Sequence, residues 1–278
     1  MADLSKTRIL ASADELAREV PDGATIVVFK DSGVPMETAR ALIRRGAKDL
    51  HLVTVPTSGL FADLLIAAGC VATIETAGVS LGEFGPAHNF ARAVKTGTVT
   101  IRDSTCPAVY AGLQAAHKGI PFMPLRGLIG SDLMRVRDDY RVIDNPYGEN
   151  DPIVAIPAIR PDIALVHVPL ADRFGNLWIG RAAELRILAQ ASARTLASAE
   201  EIVEDNILED ERLAAACLPR HYVSALAQAP RGAWPMDMPG RYGVDSGHMR
   251  GYAEQTREAA GTAAYVRALV EAAPAAAE

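Results

Sequence analysis

Cysteine is scarce in this chain: Cys70, Cys106 and Cys217 are an odd number with no paired spacing. That argues against a disulfide framework and a structural zinc site, and it suits a reducing, cytoplasmic compartment. No stretch reaches the ~18 consecutive apolar residues of a membrane span. The polar opening MADLSKTRIL lacks the apolar run of a secretory leader, so an untargeted, soluble protein is expected. Positive charge is neither in excess nor clustered. With 28 Lys and Arg against 34 Asp and Glu, a formal net charge of −6, there is no basic footprint for nucleic acid or an anionic membrane. Strong local motifs are missing as well: no P-loop, no dinucleotide-binding GxGxxG, no HExxH and no GxSxG elbow. The six histidines, at 51, 88, 117, 167, 221 and 248, show no metal-ligand spacing, so no metal is expected.

What is present is ordinary globular composition, 49% hydrophobic and 22% charged over 278 residues, enough for a sizeable core. The first half repeats one unit: a β-branched run, a Gly/Pro/Ser loop and an amphipathic helix. Strands are predicted at 25–29, 50–55, 71–76, 98–101 and 163–168. Helices are predicted at 36–45 closed by Gly46, at 61–68, 84–94, 107–118 and 182–193, and over 249–272. Residues 201–203 read as a further short strand. Such alternation predicts an α/β fold: an open, parallel-rich sheet with helices on both faces. A single domain over 1–278 is expected, with a long central connection at about 125–157 and a C-terminal helical extension at about 219–278. Ligands of open parallel sheets bind beyond the strand C-termini. The loops to search are therefore 30–35, 56–59, 77–86, 103–106 and 126–132.

Several segments, in order along nearly the whole chain, carry a resemblance. They are Asp22-Gly23-Ala24-Thr25-Ile26-Val27-Val28 with Pro35-Met36, and Gly78-Val79-Ser80-Leu81-Gly82-Glu83-Phe84-Gly85-Pro86-Ala87 with Asn89-Phe90 and Arg92-Ala93. Next come Gly119-Ile120-Pro121-Phe122-Met123-Pro124 and Gly127-Leu128-Ile129-Gly130-Ser131-Asp132. Last are Val154 to Asp162, Val166-His167-Val168-Pro169, Ala171-Asp172 and Gly175-Asn176. Together they resemble the alpha subunits of class I CoA-transferases, in the glutaconate CoA-transferase group with its steroid-degrading hydrolase relatives. The resemblance implies a sheet fold related to sugar-phosphate isomerases and a partner beta-type subunit, expected as an α2β2 assembly with the active site at the interface. It implies transfer of coenzyme A between carboxylic acids through a glutamyl-CoA thioester, with acyl-CoA as substrate and no permanently bound cofactor.

In that family the nucleophilic glutamate belongs to the beta-type half and follows its second strand. The equivalent stretch here, Val53-Thr54-Val55-Pro56-Thr57-Ser58-Gly59, holds no carboxylate, so no catalytic residue of this chain is certain. Glu149 reads as a solvated turn residue rather than a nucleophile. The family's Gly-Gly-aromatic loop is replaced by Phe29-Lys30-Asp31-Ser32-Gly33-Val34. Its backbone N–H groups suit an oxyanion and Lys30 a carboxylate or phosphate; the alternative is an ordinary Lys-Asp surface pair. Lys30, Ser32 and Gly33 thus enter the candidate binding set. Glu83 either caps the helix predicted from Phe84 or faces the substrate or partner. Arg126 can pair bidentately with a carboxylate, and the resemblance adds Asn89 and Gly127. Cys106, before Pro107, is the catalytic candidate: a helix N-terminus favours thiolate, while the plain alternative is a small space-filler. The hydrolase branch carries a glutamate at about this spot, which counts against that activity here. The remaining alternatives are a CoA-ester hydrolase on the same scaffold and a non-catalytic acyl-CoA-binding subunit.

Overall fold

A computed structural model describes residues 7–30, 33–55 and 57–271. The strands in chain order begin with β1 (Arg8–Leu10), β2 (Thr25–Phe29), β3 (Leu50–Val55), β4 (Val71–Thr76) and β5 (Thr100–Asp103). Then come β6 (Phe122–Leu125), β7 (Arg141–Asp144), β8 (Pro152–Pro157), β9 (Ile163–Val168), β10 (Leu170–Asp172) and β11 (Leu177–Trp178). The last are β12 (Arg194–Ala199), β13 (Ile202–Val203), β14 (Cys217–Leu218) and β15 (Ala225–Gln228). The helices are α1 (Ala13–Arg18), α2 (Met36–Arg45), α3 (Leu60–Ala67), α4 (His88–Thr96), α5 (Cys106–His117) and α6 (Leu133–Val136). They continue with α7 (Glu184–Ala191), α8 (Glu211–Ala214), α9 (Ser246–Gln255) and α10 (Ala259–Glu271).

Eight strands form the main sheet in the order β1-β15-β12-β9-β2-β3-β4-β5. Every pairing in it is parallel. Strand order runs outward from β2 through β5 on one side and from β9 through β15 on the other, so it reverses where β2 lies beside β9. Both faces are covered, which explains why the central strands read as continuous apolar runs. In β2, Ile26 and Val28 join a core with α1, α2, α3 and α9, while Val27 points to the opposite core with α5 and α7. The period-2 alternation of side chains across a strand divides them this way. Local signals place the helices: Ser12 accepts from the Glu15 N–H to open α1, and Gly46, at φ 71°, closes α2 as expected.

Four predicted features differ. The 125–157 region is not a plain connection: β6, β8 and β7 form an antiparallel three-stranded sheet whose inner face packs on α5. Pro124, Pro152 and Pro157 sit in its strands, and the prolines masked its period-2 pattern. Past residue 219 the chain is not wholly helical, because β15 enters the main sheet between β1 and β12. The helix predicted from Phe84 begins at His88, after a 3-10 turn at Gly82–Phe84. The terminal helix is two helices, broken after Gln255 where the Thr256 hydroxyl bonds back to the Tyr252 carbonyl (2.8 Å). Among the described residues no helix is long and apolar enough to cross a membrane.

Candidate functional site

The loops after β2, β3 and β4 enclose a cleft of about 470 Å³. It lies beside the point where strand order reverses, the position where open parallel sheets bind ligands. Its polar rim carries Lys30 after β2 and Glu83 on the 3-10 turn; the 57–60 and 78–84 loops form its floor. Leu81, Phe84, Met236 and Met249 supply apolar wall. Two hydrogen bonds stitch the floor loops together: the Ser58 N–H donates to the Gly78 carbonyl (3.1 Å) and the Ser80 N–H to that of Ser58 (3.0 Å). Below them the Thr54 hydroxyl donates to Thr76 Oγ1 (2.6 Å), which accepts from the Gly78 N–H (3.0 Å). The first turn of α3, at Gly59 and Leu60, borders the cleft. The N–H groups of a helix's first turn and the positive end of its dipole favour an anionic or developing-anion oxygen there.

Of the residues singled out in the sequence, the structure brings Lys30 and Glu83 together at this cleft. Gly33 stands just behind it, at φ 65° with its N–H donating to the Asp237 carbonyl (3.0 Å). A Cβ at Gly33 would lie 3.2 Å from the His167 carbonyl, so glycine fits both backbone and space. Ser32 lies outside the described residues. The helix-capping alternative for Glu83 is corrected, since α4 starts at His88, beyond the reach of a cap at residue 83.

The other candidates are placed elsewhere. Asn89 is buried and uses all its bonding positions internally. It donates to Asp63 Oδ2 (2.8 Å) and Tyr252 Oη (3.1 Å) and accepts from Arg92 (2.6 Å) and Thr262 (2.8 Å). A side chain so satisfied has nothing left for a substrate. Arg126 does grip a carboxylate bidentately, but it is that of Asp151, just before β8. Gly127 is exposed on the same loop, and neither residue lines the cleft. Cys106 opens α5 past edge strand β5, where Thr105 caps the helix by accepting from the Ala108 N–H (3.3 Å). Its thiol is exposed and away from the cleft lining. Glu149 is exposed in the turn between β7 and β8.

Sequence reading missed Met236 and Met249, which lie far beyond the floor loops in the chain. The one available signal was Met236-Asp237-Met238, flexible apolar side chains inside a Pro/Gly-rich stretch. It also missed a polar cluster at the ends of β9 and β12. There His167 Nδ1 lies 2.8 Å from Ser198 Oγ and Nε2 2.9 Å from Glu200 Oε1. A carboxylate only accepts, so Nε2 carries the proton. The Tyr242 hydroxyl donates to the same oxygen, and the Arg231 N–H donates to Oε2 (2.6 Å). Burial works to raise the Glu200 carboxyl, but the donors from His167, Tyr242 and Arg231 outweigh it and hold it below the usual carboxylate range.

A doubly wound parallel sheet with a cleft at its reversal point, floored by glycine-bearing loops, defines a small-ligand α/β protein. Residues 10–228 match the family model described as Coenzyme A transferase, and the chain belongs to that family. It is 31% identical over 244 residues to a 3-oxoadipate CoA-transferase subunit from Pseudomonas knackmussii, covering 86% of this chain and 84% of that one. It is 32% identical over 266 residues to the cholesterol ring-cleaving hydrolase IpdA subunit of Rhodococcus jostii, covering 91% and 89%. An uncharacterized protein of Archaeoglobus fulgidus is 31% identical over 265 residues, and this chain spans 58% of its length. The fold matches the crystal structure of glutaconate coenzyme A-transferase from Acidaminococcus fermentans with a TM-score of 0.89 at 24% identity, over 96% of this chain and 90% of that one. The chain is an alpha-type subunit of the CoA-transferase family.

Proposed function

We propose that this chain, paired with a beta-type subunit in an α2β2 assembly in the cytoplasm, moves coenzyme A between two carboxylic acids with no permanently bound cofactor. The observation that carries this reading is the composition of the cleft: an ammonium, a helix N-terminus and backbone N–H groups surround an apolar wall, while the loop after β3 offers no carboxylate among its described residues. Such a lining binds and polarises a thioester but supplies no nucleophile at the family's position. In the proposed reaction the beta subunit's glutamate attacks the thioester carbonyl, expelling the CoA thiolate and forming a mixed anhydride. The thiolate then attacks the glutamyl carbonyl, the first acid leaves as carboxylate, and the second acid reverses the sequence. Lys30 holds the carboxylate of the free acid, and the α3 terminus holds the developing oxyanion. Leu81, Phe84, Met236 and Met249 take the acyl chain.

The test is mass spectrometry of this chain, alone and with its beta-type subunit, after acyl-CoA and hydroxylamine or borohydride trapping. A glutamyl adduct on the beta subunit, formed only in the mixed complex, is the expected result. CoA released into water with no adduct on either chain would overturn it. Glu83 supports a second reading, CoA-ester hydrolysis, because it is a carboxylate on the cleft rim able to activate a water; release of CoA that ignores the acceptor acid and is lost in Glu83→Gln would favour it.

A further inference from the structure

The segment from Ala229 to Val244 carries Met236 to the cleft wall, and it is not itself a helix or a strand of the main sheet. Arg40 of α2 donates to the Trp234 carbonyl, Arg241 donates to the Pro169 carbonyl (3.1 Å) and to Glu201 (2.7 Å), and the Ala229 N–H donates to the Ala199 carbonyl (2.7 Å); two further fastenings bear on the cleft. One is the loop after β2 and the start of α2: the Gly33 N–H donates to the Asp237 carbonyl (3.0 Å) and the Glu37 N–H to that of Gly232 (2.8 Å). The other is a single carboxylate, Glu200, just past β12. It accepts from the Arg231 N–H near the start of the segment and from the Tyr242 hydroxyl near its end, while His167 at the end of β9 donates to it from below. Tyr242 Oη in turn accepts from the Ala233 N–H (3.2 Å).

Two further observations show how tightly this bracket is drawn. Arg231 holds a left-handed backbone, φ 52°, which a non-glycine residue keeps only where its surroundings enforce it. Gly232 has no room for a side chain, since a Cβ would stand 2.6 Å from His167 Cε1 and 2.7 Å from the Ala229 carbonyl. A buried His-Glu pair thus lies on one side of the sheet's reversal point, and the cleft lies on the other. The 229–244 segment spans the two.

We propose that Glu200 is the positioning residue of the cleft, fixing through the 229–244 segment both the Gly33 loop and the Met236 wall. It touches no ligand. It ties Arg231 and Tyr242 of this loop, which the main sheet itself meets at Ala229, to the rigid ends of β9 and β12. The proposal rests on the acyl-CoA reading of the cleft for its kinetic consequence and is independent of it for its structural one.

The experiment takes the complex of this chain and its beta-type partner in three forms: wild type, Glu200→Gln and Tyr242→Phe. In Glu200→Gln an amide N–H faces one of the three donors, so at least one fastening is lost with little change of volume; Tyr242→Phe removes one donor and keeps the ring. Amide hydrogen exchange is expected to quicken about tenfold or more in residues 33–37 and 229–244, with α5 and the three-stranded sheet unchanged. The value of kcat/KM is expected to fall about a hundredfold in Glu200→Gln, as for a misplacement of about 1 Å, and the preference among acyl-chain lengths to flatten. Unchanged exchange at 33–37 in both variants would overturn the proposal, as would acceleration spread evenly over the chain. Should the wild-type complex transfer no CoA, the functional reading falls, and the exchange pattern still decides the role of Glu200.

Discussion

Burial sorts the three thiols. Desolvation pushes Cys70 and Cys217 up to about 11, and both are buried, whereas Cys106 is exposed at the start of α5. Thiolate is the reactive form, so iodoacetamide at about pH 8 is expected to alkylate Cys106 in the native chain and spare the other two. Peptide mass spectrometry reads this directly, and labelling of Cys70 at a comparable rate would contradict the buried placement. The same logic of position rather than residue type separates Lys30 from Arg126. Both are cations on loops past strand ends, but Lys30 lines the cleft while Arg126 is engaged by Asp151 on an exposed surface. Lys30→Met is therefore expected to lower kcat/KM for CoA transfer about tenfold or more, mostly through KM of the free acid, whereas Arg126→Met leaves both constants within about twofold. Equal losses in the two variants would sink the assignment of Lys30. From sequence the two were indistinguishable, because each stood on a predicted ligand-side loop and nothing local reveals that residue 151 returns to meet residue 126.

Among the elements, those buried on both faces were the most legible. The strands at Thr25–Phe29, Leu50–Val55, Val71–Thr76 and Ile163–Val168 appear with the predicted bounds, since covered faces demand a run dominated by aliphatic and β-branched side chains, even with His51, Glu75 and His167 inside it. Missed strands lacked that run. Arg194–Ala199 and Ala225–Gln228 are rich in alanine, a helix former, and become strands only because the neighbouring parallel strands and the helices packed on them leave room for small side chains. Docking of the C-terminal helices was equally illegible, for it depends on a polar meeting point between distant segments. Buried Asp63 on α3 accepts from the Phe90 N–H (2.8 Å), Asn89 (2.8 Å) and the Tyr252 hydroxyl of α9 (2.6 Å). Tyr252→Phe keeps the packing and removes one donor from a carboxylate that water cannot reach. The expected cost is about 1–3 kcal/mol, read as a lower midpoint in urea with an unchanged slope. Because α9 also carries Met249 to the cleft, KM for acyl-CoA is expected to rise in the same variant. A midpoint equal to wild type would show that the hydroxyl adds nothing to docking.

At the scale of the whole molecule, the β1 edge of the sheet is closed by charge. Glu19, just past α1, receives a two-pronged grip from Arg8 of β1 (3.0 and 2.7 Å) and a third bond from Arg194 of β12 (2.7 Å). The hydrogen bonds from Arg8 and then from Arg194 outweigh partial burial and lower its carboxyl to about 2. In the unfolded chain the same group titrates near ~4.3. A depressed folded value means that folding favours the ionised form, so this contribution is complete above about pH 5 and is lost as pH falls from there toward about 2. The carboxyls of Glu200 and Asp139 are also held low by their partners and reinforce the trend. Net stability is therefore expected to decline on acidification through this window, which lies below the chain's pI of about 5.6, so that growing net positive charge adds to the loss. Glu19→Gln isolates the edge clasp from that background. Its thermal midpoint is expected to lie below wild type at about pH 7, with the gap narrowing below about pH 4.5 and closing as pH falls through about 2. The gap is also expected to be smaller at about 0.5 M salt, because Arg8 is half exposed. A gap of constant size across that whole range would mean that Glu19 acts through packing alone, and the charge closure of this edge would have to be abandoned.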